Sequence, residues 1–206
     1  MPFLGDADKS RIEEAVRQAE TQTSGEFVTV IAAKSSDYLY LPTLAAAGIV
    51  LLLSGLVLLL PFEPRIDLFY AGQVAAFILL ALAFRWPPLK MALVPRSLQE
   101  ERARRHAHQL FLDLGLSSTK GRTGVLLFVS VAEHYVEIIA DRGIQEHADP
   151  AVWDRIVADF TAKVRAGQVA DGFIDAIAAC TAVMAEHHPW RPGDVNELPN
   201  RLIEIR

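Results

Sequence analysis

Two stretches of this chain carry no charge at all, Tyr38 to Phe62 and Leu68 to Phe84. A helix needs about 20 apolar residues, each rising 1.5 Å, to cross a hydrocarbon core about 30 Å thick. Tyr40–Pro61 and Leu68–Trp86 each have that length. Buried helices of a soluble core are the competing reading, but a soluble helix keeps a polar face and neither stretch has one. The hydrophobic fraction of 51% and mean hydropathy of +0.24 are high for an ordinary globular chain because these stretches raise them; the remainder is charged at a normal density. Pro61-Phe62-Glu63-Pro64-Arg65-Ile66-Asp67 lies between the stretches, with two prolines and three charges, a turn suited to a helical hairpin. Tyr38, Tyr40, Tyr70 and Trp86 mark the segment ends, where amphipathic rings favour the interface. The sequence thus predicts a transmembrane hairpin within residues 37–92, its spans at about 40–61 and 68–86, with the lipid bilayer as its first partner.

Orientation follows from lysine and arginine. The connecting turn has only Arg65, balanced by Glu63 and Asp67, whereas Lys34 precedes the hairpin and Arg85, Lys90, Arg96, Arg102, Arg104 and Arg105 follow it. Both flanks, and so both termini, are expected in the cytoplasm of a multi-pass inner-membrane protein. Met1 to Asp6 lacks the basic start and apolar run of a signal peptide, which fits that expectation. A lone Cys180 excludes an internal disulfide and fits a reducing compartment.

The flanks read as pieces of one α/β domain, residues 1–36 and 93–206. Ile12, Ala15, Val16 and Ala19 form a helical stripe over about 8–23, with Ser24-Gly25 as its glycine cap. Glu26 to Ala33 is short and β-branched, a strand. After the hairpin, Ser97-Leu98-Gln99-Glu100 has capping-box spacing for a helix of 97–114. Val125 to Val131 reads as a strand buried on both faces, followed by a break at Ala132-Glu133-His134 and a second strand from Tyr135 to Ala140. Asp149-Pro150 starts a helix that runs to Gly167, another covers 168–187, and Leu202 to Ile205 suits a short edge strand after an irregular tail. The expected fold is α/β, a mixed sheet flanked by helices with the hairpin inserted after the first strand. If the first two strands are parallel, the hairpin and helix 97–114 together form one right-handed crossover.

Particular residues in that order resemble the TPM domain, named for a thylakoid lumen protein, a photosystem repair protein and a receptor modulator. They are Ser24-Gly25-Glu26, Leu110-Phe111, Leu114-Gly115-Leu116, Arg122 through Ser130, Val136-Glu137-Ile138, Asp141-Arg142-Gly143-Ile144, Trp153 and Gly172-Phe173. The resemblance spans nearly everything outside residues 35–96 and is most specific from Arg122 to Ile144. It implies the α/β fold, and its members include acid phosphatases, calcium binders and purely modulatory proteins. Exported members carry a signal peptide and a Gly-Tyr-Gly-like turn where this chain has Asp141-Arg142-Gly143-Ile144. With its anchor inside the domain, this chain looks like a cytoplasm-facing bacterial subgroup.

The chemistry is sparse. Gly121 and Gly124 precede a strand, whereas a phosphate loop follows one and opens a helix. His106, His108, His134, His147, His187 and His188 include no pair at helical i, i+4 ligand spacing, which argues against structural zinc. With parallel first strands, Asp37 and the Glu133-His134 turn share one sheet edge, and Asp141 and Glu146 share the other with Glu26 and Arg122. A phosphatase needs a nucleophile or metal beside positive charge, which makes Asp141, Arg122 and Arg142 the catalytic candidates. Asp141 and Glu146 are the metal candidates, for calcium or magnesium; a salt bridge at the strand ends is the alternative. The arginine run has no interleaved aromatics and the chain is net −5, so nucleic acid is not an expected partner. The readings are a non-enzymatic accessory module of a membrane complex, then a divalent-metal-dependent phosphatase, then a small transporter component. The absence of charge from Tyr38 to Phe62 and from Leu68 to Phe84 argues against the last. Gly48, Ser54, Gly55 and Gly72 would let hairpins approach and form a homo-oligomer.

Overall fold

In the computed structural model, which describes residues 4–59, 61, 65–194 and 196–206, the chain divides into two units, Met1–Ser35 with Arg102–Arg206, and Ser36–Glu101. The sequence expectations placed on Met1 to Phe3, Leu60, Phe62 to Pro64 and Val195 lie outside the described residues.

The first unit is built on a four-stranded mixed sheet. Its strands are β1 (Glu26–Ala32), β2 (Gly124–Ser130), β3 (Tyr135–Ala140) and β4 (Leu202–Ile205), in the order β3-β2-β1-β4. β1 is parallel to both β2 and β4, with Glu26 opposite Gly124 and Thr29 opposite Leu202, and β3 runs antiparallel to β2. Every residue of β1 and β2 is buried, as their near-continuous apolar sequences require.

Strand alternation sends the two sets of side chains to two cores. Phe27, Ile31, Val125, Leu127 and Val129 join the buried stripes of α1 (Asp6–Glu20), α7 (Pro150–Arg165) and α8 (Val169–His187). Val28, Val30, Ala32, Leu126 and Phe128 instead meet Ala103, Ala107 and Phe111 of α5 (Arg96–Asp113). α7 starts where Asp149 accepts the Ala151 amide at 2.9 Å and Pro150 fixes the first turn; Phe160 and Phe173 lock α7 to α8 edge-to-face, 5.1 Å apart. Cys180 is fully buried in α8, and burial pushes its thiol far up, so it stays protonated and unreactive.

Three local expectations are corrected. α1 ends at Glu20, so Gly25 is no helix cap: a Cβ there would lie 2.2 Å from Cε of Met184 and 3.1 Å from the Thr123 carbonyl, and the glycine serves close packing. α5 begins at Arg96 after Pro95, placing Ser97 inside the first turn. Glu100, the acid of the expected capping box, instead accepts from Arg96 at 3.0 Å, and its neighbour Gln99 donates to the carbonyls of Met91 and Val94, at 3.0 and 3.0 Å. Two short helices carry too few residues for a periodic signal: α4 (Pro87–Leu93) and α6 (Arg142–Gln145).

The second unit holds the apolar helices α2 (Tyr40–Leu58) and α3 (Ile66–Ala83), which pack against each other, followed by α4. Asp67 sits in the first turn of α3, paired with Arg65 at 2.7 Å, where the helix dipole favours a carboxylate. α3 stops at Ala83 rather than Trp86 because the chain turns through Phe84–Trp86 into the Pro87-Pro88 start of α4. Large apolar residues point outward on both, including Leu52 at 77% and Ile66 at 84% exposure. Both are long and apolar enough to cross a membrane, with mean hydropathies of 2.0 and 1.9 over 18 residues.

Candidate functional site at the amino edge of the parallel strands

Because β1 and β2 start together and β3 runs the other way, Glu26, the 119–123 loop and Asp141 are brought to one edge of the sheet. The end of α8 arrives there too: the His188 carbonyl accepts the Ser24 amide at 3.0 Å and the Thr23 hydroxyl at 2.6 Å.

Asp141 is only 7% exposed. Its Oδ1 accepts the Arg142 amide at 2.7 Å and caps α6, while Oδ2 is buried without a hydrogen-bond partner. Arg122 lies beside it through backbone: with φ at 50°, its carbonyl accepts the Gly143 amide at 3.0 Å. A Cβ on Gly143 would come within 2.6 Å of the Gly121 carbonyl oxygen and 2.7 Å of that of Arg122, so this contact admits only glycine. The side chains of Arg122, Arg142 and Glu146 are exposed. Among the described residues no ion pair joins Asp141 to either arginine, and no group of three His, Cys, Asp or Glu side chains is arranged to hold a metal. The expected residues therefore share an edge, and what joins them is hydrogen bonding to the main chain.

A second pair of acids lies at this edge: Glu26, placed here by the sequence but given no role, and Glu20, which the sequence did not single out. Glu26, 6% exposed, accepts the amides of Glu197 at 2.9 Å and Leu198 at 3.1 Å, so a carboxylate in the first strand fastens the tail that feeds β4. Burial, opposed by these amides, holds Glu26 above the usual carboxylate range. Its neighbour Glu20, hydrogen-bonded to Asn200, is pushed up to about 7, first by burial and then by the negative charge of Glu26. Beside them a cleft of about 280 Å³ is lined by Lys120, His188 and Arg191 together with Asp194 and Glu197. The sequence reads this tail as irregular, and the run Asn196-Glu197-Leu198-Pro199-Asn200 has no periodicity that would show its fixed path.

The Glu20 shift gives a pH dependence of known sign. The folded state binds this proton more tightly than the unfolded chain, whose glutamate titrates near 4.5. The stabilisation is fully present below that value and is lost as pH rises through about 7. Denaturant titrations at about pH 5 and about pH 8 are expected to show a lower midpoint at the higher pH, and Glu20→Gln is expected to flatten the difference. An unchanged difference in that variant would assign the dependence to another group.

Three histidines gather nearby. Nδ1 of His147 and Nε2 of His188 lie 3.1 and 2.9 Å from the Gly143 carbonyl, and the His147 ring is 5.1 Å from that of His187. On the other face of the sheet, burial raises Glu137, countered by His108 and Arg104, and lowers His106, which meets Phe128 edge-on.

At the carboxyl edge, Glu133 is fully buried. It accepts the Ser35 amide at 3.0 and 3.1 Å and the Ser130 hydroxyl, and the Ser35 hydroxyl donates to Ser130 at 2.9 Å. This cluster fixes the end of β1 to the turn after β2.

Residues 89–183 match the TPM domain. The TPM match includes β2, β3, Asp141 and α7; Glu20, Glu26 and the tail lie outside it. A structure of similar fold is the NMR structure of the BA42 protein from the psychrophilic bacterium Bizionia argentinensis, 21% identical, with 98% of this chain and 96% of that one covered and a TM-score of 0.62. No curated protein matches the chain.

Proposed function

We propose that the chain is a membrane-tethered TPM-like module of the bacterial inner membrane, acting without catalysis as an accessory or interaction protein of a membrane complex, with both termini in the cytoplasm. The observation that carries the tether is the outward display of apolar side chains around two helices of spanning length, which lipid covers and water does not. The concentration of arginine after the hairpin supports the orientation. The engagement of Asp141 Oδ1 as a helix cap supports a structural role for that carboxylate. Reporters fused at Met1 and at Arg206 are expected to behave as cytoplasmic, and the protein to stay with membranes through a carbonate wash. An exported reporter at either end contradicts the orientation, and release by carbonate contradicts the tether.

One observation favours a second reading, a divalent-metal-dependent phosphatase: Oδ2 of Asp141 is buried and unpartnered at an edge that also bears Arg122 and Arg142. Asp141→Asn keeps the side-chain shape and removes its charge. On the accessory reading, wild type and variant of matched thermal stability show equal background with a generic phosphomonoester and calcium or magnesium. Turnover in wild type that Asn abolishes would make the enzymatic reading the better one.

A further inference from the structure

The two apolar helices contain few polar side chains, and two of their hydroxyls are satisfied by the preceding helical turn. The Thr43 hydroxyl donates to the Leu39 carbonyl at 3.2 Å and the Ser54 hydroxyl to that of Val50 at 2.8 Å. Gln73 differs: its carboxamide, with two donors and an acceptor, makes no hydrogen bond among the described residues. It is the eighth of the 18 residues of α3, about 10 Å from the helix start at 1.5 Å per residue, and so inside a bilayer that this helix spans. Gln73 borders two grooves between α2 and α3, of about 330 and 250 Å³. Ala47 and Val50 line the first, and Ser54, Gly72 and Ala76 the second. A Cβ on Gly72 would meet nothing within 4 Å, so another helix can approach closely there.

We propose that two copies of this chain pair within the bilayer through Gln73, their carboxamides exchanging N–H···O=C hydrogen bonds across a two-fold axis. The proposal rests on the membrane-tether reading. An amide left unpaired in hydrocarbon is costly, which creates the demand for a partner. The carboxamide is complementary to itself, donor to acceptor in both directions, so a two-fold pair satisfies both members with one residue type. A charged partner would carry an uncompensated charge into hydrocarbon, whereas a second copy brings none, since neither span contains an Asp, Glu, Lys, Arg or His beyond the terminal Asp67. The small side chains of Gly72 and Ala76 lie on the rim of the same groove, where a neighbouring helix has to fit.

The test uses the full chain, labelled with donor and acceptor dyes in separate batches, in vesicles of phosphatidylethanolamine and phosphatidylglycerol. Energy transfer is followed as lipid is added, for wild type, Gln73→Leu and Gln73→Asn. Wild type is expected to associate, Gln73→Leu to weaken association about 3- to 20-fold, and Gln73→Asn, which keeps the amide, to fall between them. Leucine makes α3 more apolar, so its carbonate-resistant retention is expected to be undiminished, which separates lost pairing from lost insertion. A wild type that is retained but monomeric at every protein-to-lipid ratio overturns the pairing alone. So does a dimer indifferent to Gln73→Leu, or association that appears only in native membranes containing other proteins. Wild type stripped by carbonate overturns the tether and the pairing together.

Discussion

Replacing Glu133 by alanine is expected to destabilise the α/β unit by about 3 kcal/mol, because one buried and one half-buried donor lose their acceptor at about 1–3 kcal/mol each. Those donors are the Ser35 amide, at 3.0 and 3.1 Å, and the hydroxyl of Ser130. Removing a fully desolvated carboxylate is favourable by itself, but alanine puts nothing in its place for the donors, so the loss dominates. Glu133→Gln retains one carbonyl oxygen and is expected to cost only about 1 kcal/mol. Denaturant midpoints of the three proteins in detergent measure this order. A Glu133→Ala protein that unfolds at the wild-type midpoint would show that the cluster contributes nothing to the junction where β1 leaves the sheet.

That junction shows which parts of the molecule were legible in sequence. Strand β2 announces itself as a near-continuous apolar run, β1 as a short β-branched one, and α7 by its Asp149-Pro150 start and its repeat through Ile156 and Phe160, because burial leaves traces in local sequence. The length of the apolar helices was readable for the same reason, but their ends were not. Proline at Pro87 and Pro88 and the charge at Asp67 moved them by a few residues. The contacts of Glu26 with Glu197 and Leu198 link residues more than 170 apart in the chain, and no local pattern encodes them. Gly25 was misread because sequence shows that a glycine is required and not whether a turn or a neighbour such as Met184 requires it. Asp141 was placed at the right edge beside Arg122, but sequence cannot tell a carboxylate that meets a guanidinium from one that caps α6.

One sheet is built from both flanks, and the apolar helices are expected to be an insertion that the α/β domain does not need for folding. β1 pairs with β2 on one side and β4 on the other, so the N-terminal flank supplies an interior strand and the C-terminal flank both of its neighbours. Without β1 the sheet would expose two further open edges, on β2 and on β4, and without the C-terminal flank β1 would have no partner in this sheet. Replacement of residues 38–92 by a Gly/Ser linker removes the outward apolar surface of α2 and α3 and leaves all four strands. The most direct measurement is the denaturant unfolding of this variant, purified without detergent and followed by both circular dichroism and tryptophan fluorescence. A soluble protein whose two signals report a single coincident transition is the expected result. Aggregation at every linker length, or two separate transitions, would contradict the account.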